Sequence, residues 1–511
     1  MRIAALDLGS NSFHLIVVEA HADGHFETLL REKDVLRLAE SVATTHRIPP
    51  DKVDVAIESI SRMRAHGEAI GVDEWVVYAT SALREAENGA EVVDLIEQET
   101  GVGIQVITGL DEARLIFAAV RASVLIDKPP AVCIDQGGGS LEVSVGDASG
   151  MLWATSLKLG AARLTAEFMT SDPPNPDDLA RVRERARALL GPVAQATKRF
   201  RPGMLVGTSG TLTSLARLAA PTIATATPNA LHQLTVTAKE LERVHKDMQT
   251  MTVAERRSIE GLDARRADIM PAGSVVLQVA MELFGFDELT VSEWSMREGM
   301  ILDAIGHHDA LDWVDPRSMR RESVHALFRR YGGNEAHAHQ VARFATAIFD
   351  DTIALHGLSP VDRELLEDAA WLHDIGEHVA VDNHDKHSAY LIEHGRLRGF
   401  PPEEVVMLAT ICRFHRRGTP KPASYEPMRQ LDDDERDRVT KLVAILRVAD
   451  GLDRSHNDAV DLVTATVRDD KVELVIEGSE DTDLERWGVR RKRGLFEKAF
   501  GLPIELVDEP S

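Results

Sequence analysis

Two spacings of apolar residues alternate along the first part of the chain. Short apolar or alternating runs at 3–8, 13–19, 26–31, 75–79 and 103–107 predict strands. Stretches with apolar residues three or four apart predict helices at 50–70, 88–100 and 110–124. The DKPP segment at 127–130 breaks the pattern and ends this unit. The alternation then restarts. A strand–turn–strand at 131–145, a helix near 175–199 and a strand at 204–209 follow, and LTVSEWSMREGMILDA at 289–304 closes a second α/β unit. From about residue 310 the pattern changes, and 322–455 shows helix spacing almost throughout, as in ELLEDAAWLHDIGEHVA. Residues 460–480 return to strict alternation and predict a hairpin around Asp469–Asp470, followed by a last, basic helix.

The two α/β units begin alike. Residues 3–18 read IAALDLGSNSFHLIVV and residues 131–145 read AVCIDQGGGSLEVSV. Asp7 matches Asp135, Gly9 matches Gly137, and Ser12 matches Ser140. Each copy is a strand, an Asp, a Gly/Ser/Asn turn and a second strand. Such a hairpin presents backbone N–H groups and small hydroxyls to phosphate oxygens, with the Asp available to a metal. Two copies predict a duplicated α/β fold with a cleft between its halves. The plainer reading is a duplication that kept its turns for folding alone. A third small-residue turn, GTSGTLTSLA at 207–216, opens a helix whose N-terminus attracts anions. No GxxxxGK[ST] string occurs, which excludes a P-loop. Asp111 and Glu112 open the helix of ITGLDEARLIF, where acidic residues commonly complement the helix dipole. Arg84 lies just past another strand end, where its fixed charge suits a phosphate clamp.

At 511 residues the chain predicts three or four domains. Its net charge of −25 argues against a general nucleic-acid binder, although a local basic cleft can still take a polyanion. Cys133 and Cys412 stand alone and far apart, which excludes a disulfide framework and fits a reducing cytoplasm. No signal peptide and no run of ~18 apolar residues occurs, so no membrane span is expected. Against the acidic background, Arg416, Arg417 and Lys421 follow His415, and Arg490, Arg491, Lys492 and Arg493 form a dense run. These read either as a solvated face or as a track guiding a long polyanion, whose attraction salt would weaken.

The helical region carries His337, His373–Asp374, His387, His415 and Asp450. Imidazole and carboxylate in this order suit a divalent metal such as Mn, Fe, Mg or Zn. His339 competes with His337 for the first position, and His384 competes with His387. An isolated His–Asp pair is most often ordinary surface chemistry.

The segments DLGSNSFHL, TSALREA, TGLDEARL, IDQGGGSLE, GTSGTLTSLA and SMREGM occur in one order between residues 7 and 300. Together they resemble the exopolyphosphatase/guanosine pentaphosphatase family, in its long form. The resemblance implies duplicated actin-like (ribonuclease H-like) ATPase-type domains at 1–130 and 131–307. It further implies an all-α HD-like domain at 308–457 and a small α+β segment at 458–511. It implies hydrolysis of terminal orthophosphate from inorganic polyphosphate, or of pppGpp in the same site. Glu112 would activate the water. Gly9, Ser10, Asn11, Ser12, Arg84, Gly137, Gly138, Gly139, Ser140, Ser209, Gly210 and Thr211 would hold phosphates. Asp135 and Glu142 would hold Mg²⁺ or Mn²⁺, with Asp7 as a further metal or water ligand. His337, His373, Asp374 and Asp450, with His387 and His415 as additional candidates, would hold a second divalent metal. A cytoplasmic homodimer is the implied state. Asp111 stands where the family has a first Glu, and Gln136 where it has an aliphatic residue. A polyphosphate- or nucleotide-binding signalling protein without turnover and a sugar or acyl kinase are the competing readings. Glu112 and Asp135 argue against the first, and the EAR string with the helical domain against the second.

Overall fold

The computed structural model describes residues 1–21, 26–126, 129–220, 231–308, 316–478 and 482–507, without the side chains of 307–308 and 316–319. Part of the DKPP breaker, the junction near 310 and the end of the 460–480 segment lie outside these residues. The chain divides into two compact units, which meet in sequence near Met319 and Arg320.

The first unit contains two sheets of related topology. The strands of the first are β1 (Arg2–Leu8), β2 (Ser12–Ala20), β3 (Phe26–Val35), β4 (Glu74–Ala79) and β5 (Gln105–Val106), in the order β3-β2-β1-β4-β5. Those of the second are β6 (Ala131–Gln136), β7 (Leu141–Asp147), β8 (Gly150–Leu157), β9 (Met204–Thr208), β10 (Thr235–Thr237) and β11 (Glu288–Val291), in the order β10-β11-β9-β6-β7-β8. Both begin with an antiparallel three-strand meander and add parallel strands on the far side of its first strand, and in the second sheet β10 then pairs antiparallel with β11. The repeated sequence is therefore a repeated topology, and both aspartates sit near the end of the first strand of each meander.

Two helices carry the geometry between the halves. Gly109–Arg121 and Met296–His308 share one apolar core with both sheets, including Ile3, Ile16, Leu115, Ile116, Cys133, Val206 and Met300. They cross so closely that a Cβ on Gly299 would lie 2.0 Å from the Leu115 carbonyl oxygen. The first of them starts on a capping box in which Thr108 and Asp111 satisfy each other's backbone N–H groups. Such a cap contributes about 1 kcal/mol. Asp111 thus has a structural task, and Glu112, the next residue, is buried.

The second unit packs helices Glu335–Asp351, Pro360–Leu372, His384–His394, Pro402–Phe414 and Asp433–Gly451 around a single core. A small sheet of β12 (Leu462–Val467), β13 (Val472–Glu477) and β14 (Ile504–Val507) joins that core. The alternation at 460–480 appears as β12 and β13. Strand β14 is too short to show a period, and it pairs in parallel with β13 across an intervening pair of helices.

Candidate active site

The β1–β2 and β6–β7 turns abut inside the first unit. A Cβ on Gly138 would stand 2.7 Å from the Asn11 Cβ, and one on Gly139 would stand 2.7 Å from both Ser10 Oγ and Ser81 Oγ. Only glycine permits this approach. Several predicted phosphate-loop groups also hold the loops themselves. Ser10 Oγ accepts from Ala82 N at 2.9 Å, and the Asn11 carbonyl accepts from the N–H groups of Leu36 and Arg37. Ser209 caps the helix Gly210–Ala219 with φ 90°, a conformation costly for a non-glycine residue and often found at functional sites. Gln136 is buried and donates to the Leu159 carbonyl at 3.0 Å, beneath the loop.

The acidic groups converge at the ends of the strands and of the Gly109–Arg121 helix. Residues directly opposite in antiparallel strands share a face. Asp135 pairs with Glu142 in this way, whereas Asp7 pairs with His14. The duplication thus diverged to put a second acid in one half and an imidazole in the other. Asp135 accepts from Ser295 Oγ at 2.7 Å, and Glu142 accepts from Ser156 Oγ at 2.7 Å. Asp7 Oδ1 is buried without a hydrogen-bond partner. Burial raises Asp7 to about 7, with Arg297 pulling the other way, and raises Asp135 to about 6. Glu142 is pushed up by burial and by the charges of Glu112 and Asp135. Glu112 is raised to about 7 by burial, which outweighs the Arg84 guanidinium bonded to it at 2.6 Å. Arg84 also donates to the Ile107 carbonyl at 2.5 Å, so it joins the end of β5's connection to the Glu112 helix.

Several polar groups of this cleft carry no sequence signal. Arg266 lies against the Gly210 turn, where a Cβ would approach its Cζ to 2.3 Å, and its charge acts on Asp135. Arg297 acts on Asp7 and stands 3.2 Å from His14 Nδ1. His14 Nε2 lies 2.7 Å from Ser12 Oγ, and Lys33 pairs with Asp263 at 3.2 Å. Burial and the surrounding cations, Arg297, Lys33, Arg266 and Arg265, hold His14 well below its ordinary range. These residues come from distant segments; His14 and Arg297 fall inside strings singled out in the sequence, DLGSNSFHL and SMREGM, whereas Lys33 and Arg266 fall in none.

Carboxylates raised in the folded state have a definite effect on stability. Asp7 and Asp135 bind protons more tightly folded than unfolded, so the folded state is favoured at low pH and loses this advantage as pH rises from about 4 through about 6–7. Without divalent cation, the thermal midpoint is expected to be lower at pH 8 than at pH 5.5. Added Mg²⁺ is expected to recover more of it at pH 8, because only the ionised carboxylates bind a cation well. Differential scanning calorimetry in the four conditions checks both signs.

In the second unit two triads of metal-ligating groups assemble: His337, His373 and Asp450, and Asp374, His384 and His415. His384 rather than His387 joins the cluster: it is the first residue of its helix, and its Nε2 lies 3.3 Å from His415 Nε2. His337 is buried in the cluster, while His339 packs edge-on against Trp371. The basic run 490–493 is not one exposed stripe. Lys492 bonds to Asp450, and Arg493 donates to the Ile504 carbonyl at 2.6 Å, while Arg491 lies over the Trp487 ring and Arg490 is exposed. Local pairing and packing thus give the four side chains different directions.

The model of the Ppx/GppA phosphatase family matches residues 17–308, and that of Ppx/GppA phosphatase domain III matches 319–489. Exopolyphosphatase 1 of Mycobacterium tuberculosis is 36% identical over 340 residues, covering 66% of this chain and 96% of that protein. A guanosine-5'-triphosphate,3'-diphosphate pyrophosphatase of Vibrio vulnificus is 26% identical over 476 residues, covering 93% of this chain and 91% of that protein. The crystal structure of an exopolyphosphatase from Cytophaga hutchinsonii superposes with a TM-score of 0.56 at 28% identity, over 60% of this chain and 98% of that one. A Ppx/GppA family member from Aquifex aeolicus superposes with a TM-score of 0.53 at 27% identity, over 60% and 98%.

Proposed function

Because the chain belongs to the Ppx/GppA phosphatase family, we propose that its first unit removes terminal orthophosphate from inorganic polyphosphate by Glu112-directed attack of water. The enzyme class follows from the family: the chain is a phosphoanhydride hydrolase with actin-like α/β domains, acting on polyphosphate or on pppGpp. The observation that carries the mechanism is the Glu112 carboxylate, buried at the start of a capped helix and oriented by Arg84 at 2.6 Å. Raised to about 7, it is both ionised and basic enough near neutrality to take a proton. The proton lost by the attacking water goes to Glu112. The phosphates are held by the N–H groups of Gly9–Ser12, Gly137–Ser140 and Ser209–Thr211, with Arg84 as the clamp. Oriented donors of this kind stabilise charge that grows on the phosphoryl oxygens.

The acids fit a hard cation. Asp135 and Glu142 share one face of the sheet and are buried, and Asp7 Oδ1 has no donor. These residues would hold Mg²⁺, which supplies charge neutralisation for the bridging and leaving phosphate oxygens. The finer parts of the reading are proposals too. These are the four-part division at 130, 307 and 457, a cytoplasmic homodimer, and an HD-like helical domain with a metal on His337, His373, Asp374 and Asp450. The buried, unpaired Cys133 and Cys412 support a reducing compartment. Among the described residues no helix is long and apolar enough to cross a membrane.

Phosphate release from long polyphosphate, tripolyphosphate, pppGpp and ATP under Mg²⁺ tests the assignment. The expected order places long polyphosphate first in kcat/KM, with pppGpp next and ATP last. Preference for ATP would overturn it.

A further inference from the structure

The second phosphate loop is held from behind. The Gly137 carbonyl accepts from Ala161 N at 2.9 Å, and the Gly138 carbonyl accepts from Arg163 N at 3.0 Å. The Gly139 carbonyl accepts from the Arg163 side chain, through Nε, at 2.8 Å. Three successive carbonyls thus meet the first turn of the helix Ala161–Phe168. The helix gains as well, because its first N–H groups have no partner within it. The approach is close: a Cβ on Gly160 would stand 2.3 Å from the Gly138 carbonyl oxygen. A trans peptide is planar and sets its N–H opposite its carbonyl. The N–H groups of Gly138, Gly139 and Ser140 therefore point away from that helix. Among the described residues, none of the three donates to a protein acceptor.

The first loop is backed in the same way, with one difference. Its Ser10 carbonyl accepts from Ala39 N at 2.7 Å, and its Asn11 carbonyl accepts from Leu36 N at 3.0 Å and Arg37 N at 2.9 Å. All of these donors are main chain. In the second loop one donor is a side chain, and Arg163 is buried. A buried guanidinium needs a counter-charge. It comes from the other half of the duplication, where Glu85 Oε2 accepts from Arg163 Nη2 at 3.0 Å. Glu85 also accepts from Ser81 Oγ at 2.8 Å, and Lys158 Nζ lies 2.8 Å from Oε2. Ser81 Oγ is itself one of the atoms that a Cβ on Gly139 would strike. Glu85 therefore holds two side chains that fix Gly139. It also ends the short helix Ser81–Glu85 that carries Arg84, the partner of Glu112.

We propose that Arg163 and Glu85 are a positioning pair for phosphoanhydride hydrolysis. Arg163 pins the Gly139 carbonyl so that the Ser140 N–H is turned toward the substrate's phosphate, and Glu85 keeps that loop in step with Arg84. The proposal rests on the polyphosphate reading given above and adds to it two residues 78 positions apart that no motif joins. Both act through other groups, Arg163 through the loop and Glu85 through Arg163 and Ser81. The fork of the guanidinium is what the arrangement uses. Nε serves the carbonyl while Nη2 serves the carboxylate, and a lysine with one nitrogen cannot reproduce that fixed pair of directions. Glycines restrict the chain little, so a loop released from Arg163 gains conformations. Its N–H groups then lose their fixed aim. Fixed aim counts most where charge grows on the phosphoryl oxygens in the transition state. Loss of the pair is therefore expressed in kcat more than in KM.

The experiment uses the full chain, Mg²⁺ and polyphosphate of defined length. Arg163→Met and Arg163→Lys are each expected to lower kcat at least about 10-fold, short of the roughly 10²–10³-fold cost of deleting an oriented donor outright, with KM changed by less than about 3-fold. Glu85→Gln is expected to lower kcat by a smaller factor. It should add nothing in the Arg163→Met background, because the two residues act as one unit. Scanning calorimetry establishes that each variant is folded. Should Arg163→Met fail to fold, Arg163→Lys and Glu85→Gln, which keep the charge or the shape, carry the same test. A lowered melting temperature with kcat and KM unchanged would make the pair structural only and overturn the proposal. Wild-type turnover in Arg163→Lys would overturn it too, since charge would then suffice without the bond to the Gly139 carbonyl. Losses that multiply in the double variant would overturn the coupling. The unmodified chain checks the underlying reading separately. Hydrolysis there with unchanged variants overturns this pair alone, whereas no hydrolysis there overturns the reading and the pair with it.

Discussion

Replacing Glu112 with Gln is expected to lower kcat for polyphosphate by about 10²–10⁴-fold, the range of a positioned general base. The change removes one proton acceptor and almost nothing else. The helix that carries residue 112 is fixed by the Thr108–Asp111 cap and by the packing of Gly299 on Leu115, neither of which involves the Glu112 side chain. KM is expected to stay level, because the Gln amide oxygen still accepts from Arg84, which lies 2.6 Å from Glu112 Oε1 in the wild type. The pH profile supplies the independent readout. Glu112 must be ionised to accept a proton, so kcat/KM is expected to rise with pH to a limb near its raised value of about 7. In Glu112→Gln that limb should disappear together with the rate. Initial-rate phosphate release on polyphosphate of defined length, from pH 5.5 to 9, measures all three quantities. Near-wild-type turnover would remove Glu112 from the mechanism.

How much of this was legible in the chain depends on whether a feature is local. The hairpins were, because period-2 alternation around a Gly/Ser turn is written within sixteen residues, and the matched topology of the two sheets follows from it. The cap at Thr108–Asp111 explains why an acidic pair opens that helix, and it separates a structural acid from the one facing the cleft. The cationic side of the cleft was not legible. Lys33, Arg266 and Arg297 come from a strand, a short helical turn and a helix start, and only folding places them together. The choice between His384 and His387 also needed the structure. The two positions lie three residues apart on one helix, and only the structure shows that His384 stands against His415. The direction of the side chains in the run at 490–493 was not legible either. Clustering in sequence says nothing about direction, and Lys492 turns toward Asp450 while Arg490 stays exposed.

The divergence between the two hairpins leads to the second large effect. Position 14 opposite Asp7 is His, whereas position 142 opposite Asp135 is Glu, so only the second hairpin offers a carboxylate pair on one face. Asp135→Asn is therefore expected to lower activity by at least about 10²-fold under saturating Mg²⁺, since the amide keeps the shape but cannot neutralise a hard cation. The same substitution is expected to raise the thermal midpoint at pH 8 in the absence of metal. Asp135 is buried, its acidity is weakened to about 6, and its ionised form adds to the repulsion among Asp7, Glu112 and Glu142. A neutral amide relieves that repulsion and still accepts from Ser295 Oγ, which lies 2.7 Å from Oδ2 in the wild type. Stability and activity should thus move in opposite directions, a trade common where function requires buried charge. Adding Mg²⁺ should narrow the difference in melting by stabilising the wild type more than the variant. Scanning calorimetry with and without Mg²⁺, beside phosphate-release rates, reads both effects. A variant that loses activity and also melts earlier would point to a folding role for Asp135 rather than to a carboxylate kept in the cleft for the cation.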